Sequence, residues 1–125
     1  MVPALEAVAD GIMHFEGWIP GSRSYRNRNP GNLESGPGVY REFPSLVDGY
    51  QALLEELRSK FSGENQHGIG PDSTLLQLFN VYAPPSDNNP TNKYCSFVAD
   101  YASHALGCSI TPETRLRDIW QETGS

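Results

Sequence analysis

The 125-residue chain predicts a mostly helical α+β domain: a bundle of about five helices with one small β-hairpin after the first. Two observations carry that expectation. Apolar residues recur at helical spacing in several separate stretches. Between the first two of these, short extended segments flank a Gly/Pro-rich turn. Ten prolines and twelve glycines punctuate the rest and imply short elements and many turns. No internal repeat, linker or low-complexity tract interrupts the pattern, so residues 1–125 read as a single domain with one modest core.

The first helix is expected from Pro3 to Glu16, with Pro3 suited to the first turn. At about 100° per residue, Leu5, Val8, Ile12 and Phe15 fall within roughly 80° of each other. Residues 17–33, GWIPGSRSYRNRNPGNL, read as an irregular segment rich in turn formers. Asn32 to Glu34 and Val39 to Phe43 are expected as strands around Ser35-Gly36-Pro37-Gly38. A second helix runs from Pro44 to Phe61. Leu46, Tyr50, Leu53, Leu54, Leu57 and Phe61 form its inner face, and Glu55, Glu56, Arg58 and Lys60 its outer one.

After the loop SGENQHGIGP, a third helix starts behind a cap at Asp72 or Ser73 and ends near Tyr82. The fourth runs from Asn92 to Leu106 with Thr91 as cap and Gly107 as stop. Its inner side carries Tyr94, Phe97, Val98, Tyr101, Ala102, Ala105 and Leu106. A final short helix follows Thr111-Pro112, with Leu116, Ile119 and Trp120 packing back.

Within this layout Glu16 stands apart. Glu6 and Asp10 point away from the apolar face of the first helix, as surface acids should. Glu16 lies one turn after Ile12, at the edge of that face and in the helix's last turn. Partial burial and the negative end of a helix dipole both favour the neutral form of a carboxyl group. A carboxylic acid held protonated near neutral pH is what general-acid cleavage of a glycosidic bond requires. The alternative for Glu16 is a surface ion pair with Arg23, Arg26 or Arg28.

The balance of charge excludes other classes of function. Nine Lys and Arg against fifteen Asp and Glu give a net charge of −6, which argues against general nucleic-acid or anionic-membrane binding. The cluster Arg23, Arg26 and Arg28 is local. It reads either as a solvated, salt-bridged loop or as a wall of a polar cleft meeting substrate carboxylates. No stretch approaches the roughly 20 apolar residues that span a membrane. The N-terminal MVPALEAVADG lacks the basic region of a secretory signal. Cys95 and Cys108, separated by about 18 Å along a helix, are expected as free packing thiols. His14, His67 and His104 show no metal-ligand spacing, and no cofactor is implied.

The stretch Phe15-Glu16-Gly17-Trp18, followed by GSRSYRNRNPGNL at 21–33, resembles a phage and bacterial family of lytic-transglycosylase-like muramidases of the lysozyme-like superfamily. Phe43-Pro44-Ser45 with Asp48-Gly49-Tyr50 and Ala52-Leu53 is similar to that family's next segment. Tyr82-Ala83-Pro84-Pro85, Asp87-Asn88-Asn89-Pro90 and Tyr94 are similar to its later cleft motif. Together these pieces span residues 12 to 119. Two departures stand out: Arg28-Asn29 where the family carries Asn-Asn, and Glu34 where a basic residue is common.

The resemblance implies a lysozyme-like fold and a peptidoglycan-cleaving muramidase, foremost a lytic transglycosylase cutting the MurNAc-β-1,4-GlcNAc bond. Glu16 would be its general acid and base, acting through an oxocarbenium-like transition state. Asn29 and Asn32 offer amides suited to acetamido and hydroxyl groups, or else stabilise the turn. Gly31 permits close backbone approach. Tyr25, Trp18 and Tyr82 are candidates for stacking on sugars, with Tyr82 the strongest because the motif puts it in the cleft. Its hydroxyl also suits a bond to Glu16 or to the leaving sugar. Glu34, Glu42, Asp48 and Asp87 are the carboxylates available for a hydrolytic mechanism. The resembled transglycosylases use one Glu, with the substrate's 6-hydroxyl as nucleophile. The alternatives are a hydrolytic lysozyme of the same fold and a glycan-holding component of a virion or secretion apparatus that does not cut. The expected partner is the peptidoglycan glycan strand, met by a monomer at the cell wall, in the periplasm, outside the cell or on a virion.

Overall fold

Helix α1, Ala4–Phe15, buries Leu5, Ala7, Val8, Ala9, Gly11 and Ile12, the face its periodicity predicts. The computed structural model describes residues 3–87 and 89–121. Pro3 stands just outside α1 as its cap, and Glu16 closes its last turn. The chain then turns at Gly17 with φ +75°.

Residues 23–26 depart from the expected irregular segment. Arg23–Arg26 form one helical turn, α2, because the Ser22 hydroxyl accepts from the Tyr25 amide and caps it. The Asn-Pro-Gly-Asn turn follows, with Arg28 and Asn32 both left-handed. The hairpin is shorter than expected: β1 is Glu34–Gly36 and β2 is Val39–Tyr40, antiparallel, with Glu34 opposite Tyr40 and Gly36 opposite Val39. The Arg41 amide donates to the Leu33 carbonyl at 2.8 Å and extends the pairing by one bond.

Helix α3, Leu46–Ser62, is capped by Ser45 and stopped by Gly63 in the left-handed region. Leu53, Leu57 and Phe61 are buried as expected, but Leu46 is exposed. Lys60, expected outside, is only 4% exposed. Helix α4, Leu75–Tyr82, starts one or two residues later than expected, behind Thr74 in place of Ser73 or Asp72. Thr74 and Gln77 form a reciprocal capping box, while Asp72 instead receives Arg117 at 2.6 Å.

Helix α5, Thr91–Leu106, takes in Thr91, expected as its cap. The Thr91 hydroxyl donates to the Ala83 carbonyl at 2.5 Å and ties α5 to the end of α4. Tyr94, Val98 and Ala102 are buried as expected, whereas Phe97 is exposed. The expected final helix is a single 3-10 turn at Leu116–Asp118. Thr74 pairs with Arg115 in an isolated antiparallel bridge, which pulls the chain extended before that turn. Leu116 is buried, and Trp120 meets Phe61 edge-on.

The described residues therefore comprise five α-helices with a two-stranded sheet after the first. α1 packs chiefly on α5 and also on α3, and α4 packs on α5. One cluster of buried apolar residues joins α1, α3, α4 and α5 with Leu33, Ile69, Ile110 and Leu116. At Gly11 a Cβ would meet Val98 Cγ1 at 3.3 Å, so the small residue suits the close approach of α1 to α5. No helix among the described residues is long and apolar enough to cross a membrane.

Candidate active site

Glu16 ends α1 where the core opens into a cleft of about 580 Å³. Its side chain is half-buried and faces that cleft rather than bulk solvent. Both carboxyl oxygens are held. Asn32 Nδ2 donates to Oε1 at 2.7 Å, and Tyr94 Oη donates to Oε2 at 2.7 Å. The two donors come from the turn before the hairpin and from the inner face of α5, 16 and 78 residues away in the chain. Both bonds suit an ionised carboxylate. The Tyr94 hydroxyl can also turn and accept, so it can serve Glu16 when the acid carries its proton.

Asn32 holds its place by an unusual backbone: φ is +48°, a conformation that Asn tolerates better than most residues. Its Oδ1 is buried with no partner. An unpaired buried acceptor costs about 1–3 kcal/mol, and such groups in native structures often accompany function. The turn is clamped from two sides. A Cβ on Gly49 would lie 1.9 Å from the Arg28 carbonyl oxygen, so α3 presses directly on the loop backbone. A Cβ on Gly31 would lie 2.6 Å from Tyr82 Oη and 2.8 Å from Leu53 Cδ1. Gly31 thus admits close protein neighbours while also lining the cleft.

Asn29, expected among the sugar-binding residues, is fully buried. Its Nδ2 donates to the Leu33 and Arg41 carbonyls at 3.0 and 2.9 Å, and its Oδ1 accepts from the Leu33 amide at 2.9 Å. Those bonds occupy the side chain, so it stabilises the turn instead of contacting a ligand. Tyr25 is also displaced from its expected role. It is 42% exposed, packs on Trp18 at 5.1 Å, and lies outside the cleft lining, as Trp18 does. Tyr82 lines the cleft, but its hydroxyl donates to the Gly31 carbonyl at 2.6 Å. The bond to Glu16 expected of Tyr82 is made by Tyr94.

Burial, followed by the Glu16 and Glu56 charges, holds the Tyr82 phenol well above the ordinary tyrosine range. Burial does the same for Tyr94, followed by neighbouring Tyr82 and the Glu16 charge and hydrogen bond. Both remain neutral hydroxyl donors at any physiological pH.

Of the carboxylates considered for a second catalytic role, Glu34 lines the cleft, and its Oε1 accepts from the Gly38 amide at 2.7 Å. Glu42 and Asp48 are exposed and outside the lining, and Asp48 accepts from Ser45 at 3.0 Å. The side chain of Asp87 and all of Asn88 lie outside the described residues. Glu56 lines the cleft instead, ion-paired with Lys60. Helical spacing could have found this pair: at 100° per residue Lys60 lies about 20° from Leu53, on the inner face. Tyr94 carried a signal too, since a buried tyrosine hydroxyl needs a partner.

No protein-family model, curated protein or solved structure matches the chain. The site's chemistry therefore rests on its own geometry. No group of three or more His, Cys, Asp or Glu among the described residues could hold a metal ion. The arrangement offers one carboxyl group with both oxygens fixed, two neutral phenols around it, and a polar cleft in front.

Proposed function

We propose that this protein cleaves the glycosidic bond between amino sugars of peptidoglycan, with Glu16 as general acid and then base. The observation that carries the reading is the clamped carboxyl: Asn32 and Tyr94 hold Glu16 at the mouth of the cleft. Protonated Glu16 gives its hydrogen to the bridging oxygen as the C1–O bond breaks and positive charge develops on the sugar. The carboxylate left behind is stabilised by two donors already in position, without reorganisation. It then takes the proton from the substrate's own 6-hydroxyl as that oxygen bonds to C1. The product is a 1,6-anhydro sugar, and no water is consumed.

Transglycosylation is favoured because the cleft's two other acids are already engaged, Glu56 by Lys60 and Glu34 by the Gly38 amide. Hydrolysis is the alternative that Glu56 itself supports, as the base for a water molecule. Mass spectrometry of fragments from purified sacculi separates the two: anhydro ends indicate transglycosylation and reducing ends hydrolysis. In the same assay Glu16→Gln is expected to lose roughly 10²- to 10⁴-fold in rate, the usual worth of general acid catalysis, with an unchanged circular dichroism spectrum. A variant keeping more than about a tenth of the wild-type rate would overturn the assignment.

A further inference from the structure

Among the described residues, three Lys and Arg side chains line the cleft against three acids, whereas the whole chain carries nine against fifteen. The cleft is thus less negative than the rest of an acidic molecule. Lys60 is neutralised by Glu56, which leaves Arg23 and Arg41. Neither guanidinium has a hydrogen bond or carboxylate partner among the described residues. Each lies instead over an aromatic ring: Arg23 is 4.2 Å from the Tyr40 centroid, and Arg41 is 4.7 Å from that of Phe43. Stacking occupies the flat face of a guanidinium and leaves its N–H edge available for a bidentate acceptor. Arg26 and Arg28, by contrast, donate to the Gly21 and Phe43 carbonyls and lie outside the cleft lining.

We infer that Arg23 and Arg41 form a carboxylate-recognising wall that selects acid-bearing glycan over uncharged amino-sugar chains. The inference rests on the proposed glycan-cleaving function and deepens it, since the glycan acids to be read are the lactyl group of the muramyl sugar and the peptide stem. The cleft's own acids limit the attraction without cancelling it: Glu34 is turned to the Gly38 amide, and Glu56 is paired with Lys60.

The test compares three soluble tetrasaccharides by calorimetry in the Glu16→Gln background, where turnover does not interfere. One is a GlcNAc–MurNAc tetrasaccharide without stems, the second carries stem peptides, and the third is chitotetraose, which lacks the lactyl acids. Acid-bearing glycan is expected to bind about tenfold tighter than chitotetraose, a preference of about 1.4 kcal/mol. Arg23→Gln with Arg41→Gln should reduce that preference to within about twofold. Arg28→Gln should leave it intact. Reducing the substrate carboxyls to alcohols should erase it in the Glu16→Gln protein with both arginines intact, which guards against misfolding of the double variant. The lactyl carboxyl is free only without a stem, because the stem is joined to it as an amide. A preference seen only with the stemless glycan assigns the wall to the lactyl carboxylate, one seen only with stems assigns it to stem carboxylates, and one seen with both shows that it takes either. Equal affinities for all three sugars overturn the inference, as does a preference that survives the double substitution. If the glycans bind equally while wild-type protein cuts sacculi, only the inference fails. If no sugar binds and sacculi stay intact, the glycan-cleaving reading fails and takes the inference with it.

Discussion

Tyr94 and Asn32 each give Glu16 one hydrogen bond, so their worth can be read one at a time. A hydrogen bond to a charged group contributes about 1.5–3 kcal/mol. Tyr94→Phe is therefore expected to slow glycan cleavage by roughly 10- to 100-fold while substrate affinity changes little. Steady-state kinetics on soluble glycan check this; an unchanged kcat would remove Tyr94 from the mechanism. Asn29 and Tyr25 make a contrasting pair. Asn29→Ala takes the partner from the buried Leu33 amide and from the Arg41 carbonyl, while the Leu33 carbonyl keeps the Arg41 amide; a buried group left unpaired costs about 1–3 kcal/mol. Its denaturation midpoint should fall sharply. Tyr25→Ala removes an exposed ring outside the cleft and should alter cleavage less than threefold.

The Asn-Pro-Gly-Asn turn works as an element because α3 and α4 hold it from both sides. Gly49 of α3 is the tightest contact, with no room for a Cβ against the Arg28 carbonyl. Overpacking of this kind typically costs about 1–3 kcal/mol, occasionally more. Because the obstacle at Gly49 is backbone, the upper end is expected for Gly49→Ala. Urea denaturation of the variant measures it, and a loss below about 1 kcal/mol would mean that the loop yields easily. Activity should fall as well, since Asn32 sits at the end of the same turn. The loop and α3 then act as one positioning unit for the carboxyl group.

For the molecule as a whole, several proton-bearing groups are buried in their neutral form. Burial, with smaller help from Glu113, pushes the Cys95 thiol up to about 12. Tyr50 is raised by burial and then by its bond to Asp10. Tyr82 and Tyr94 are raised as described. A group whose folded pKa exceeds its unfolded one adds stability that is fully present below the unfolded value. That stability is lost as pH rises toward the folded value. The fold should therefore weaken from about pH 9, where unfolded thiols ionise, and more steeply above about pH 10, where unfolded tyrosines do. One group contributes at most about 1.4 kcal/mol per pH unit. Urea midpoints between pH 8 and 11 test this, and Tyr94→Phe should flatten the upper part of the curve. A midpoint constant to pH 11 would contradict it.

Periodicity along the chain was enough for the main helices, the early hairpin and the position of Glu16, because these depend on neighbours a few residues apart. The same reading applied consistently would have placed Lys60 inside, since its angle on α3 matches that of Leu53. Other features had no local cause. Whether Asn29 faces a ligand or the backbone depends on the Arg41 carbonyl, which reaches it only once the hairpin folds back. Which tyrosine touches Glu16 depends on how α5 packs on α1 and where α4 ends, and Tyr82 was claimed first by Gly31. Arg41 entered the cleft and Arg28 left it for a similar reason. Local spacing determines which residues can face inward together. Hydrogen bonds and charges 16, 51 or 78 residues apart are decided only by packing, because each needs partners that the chain brings together last.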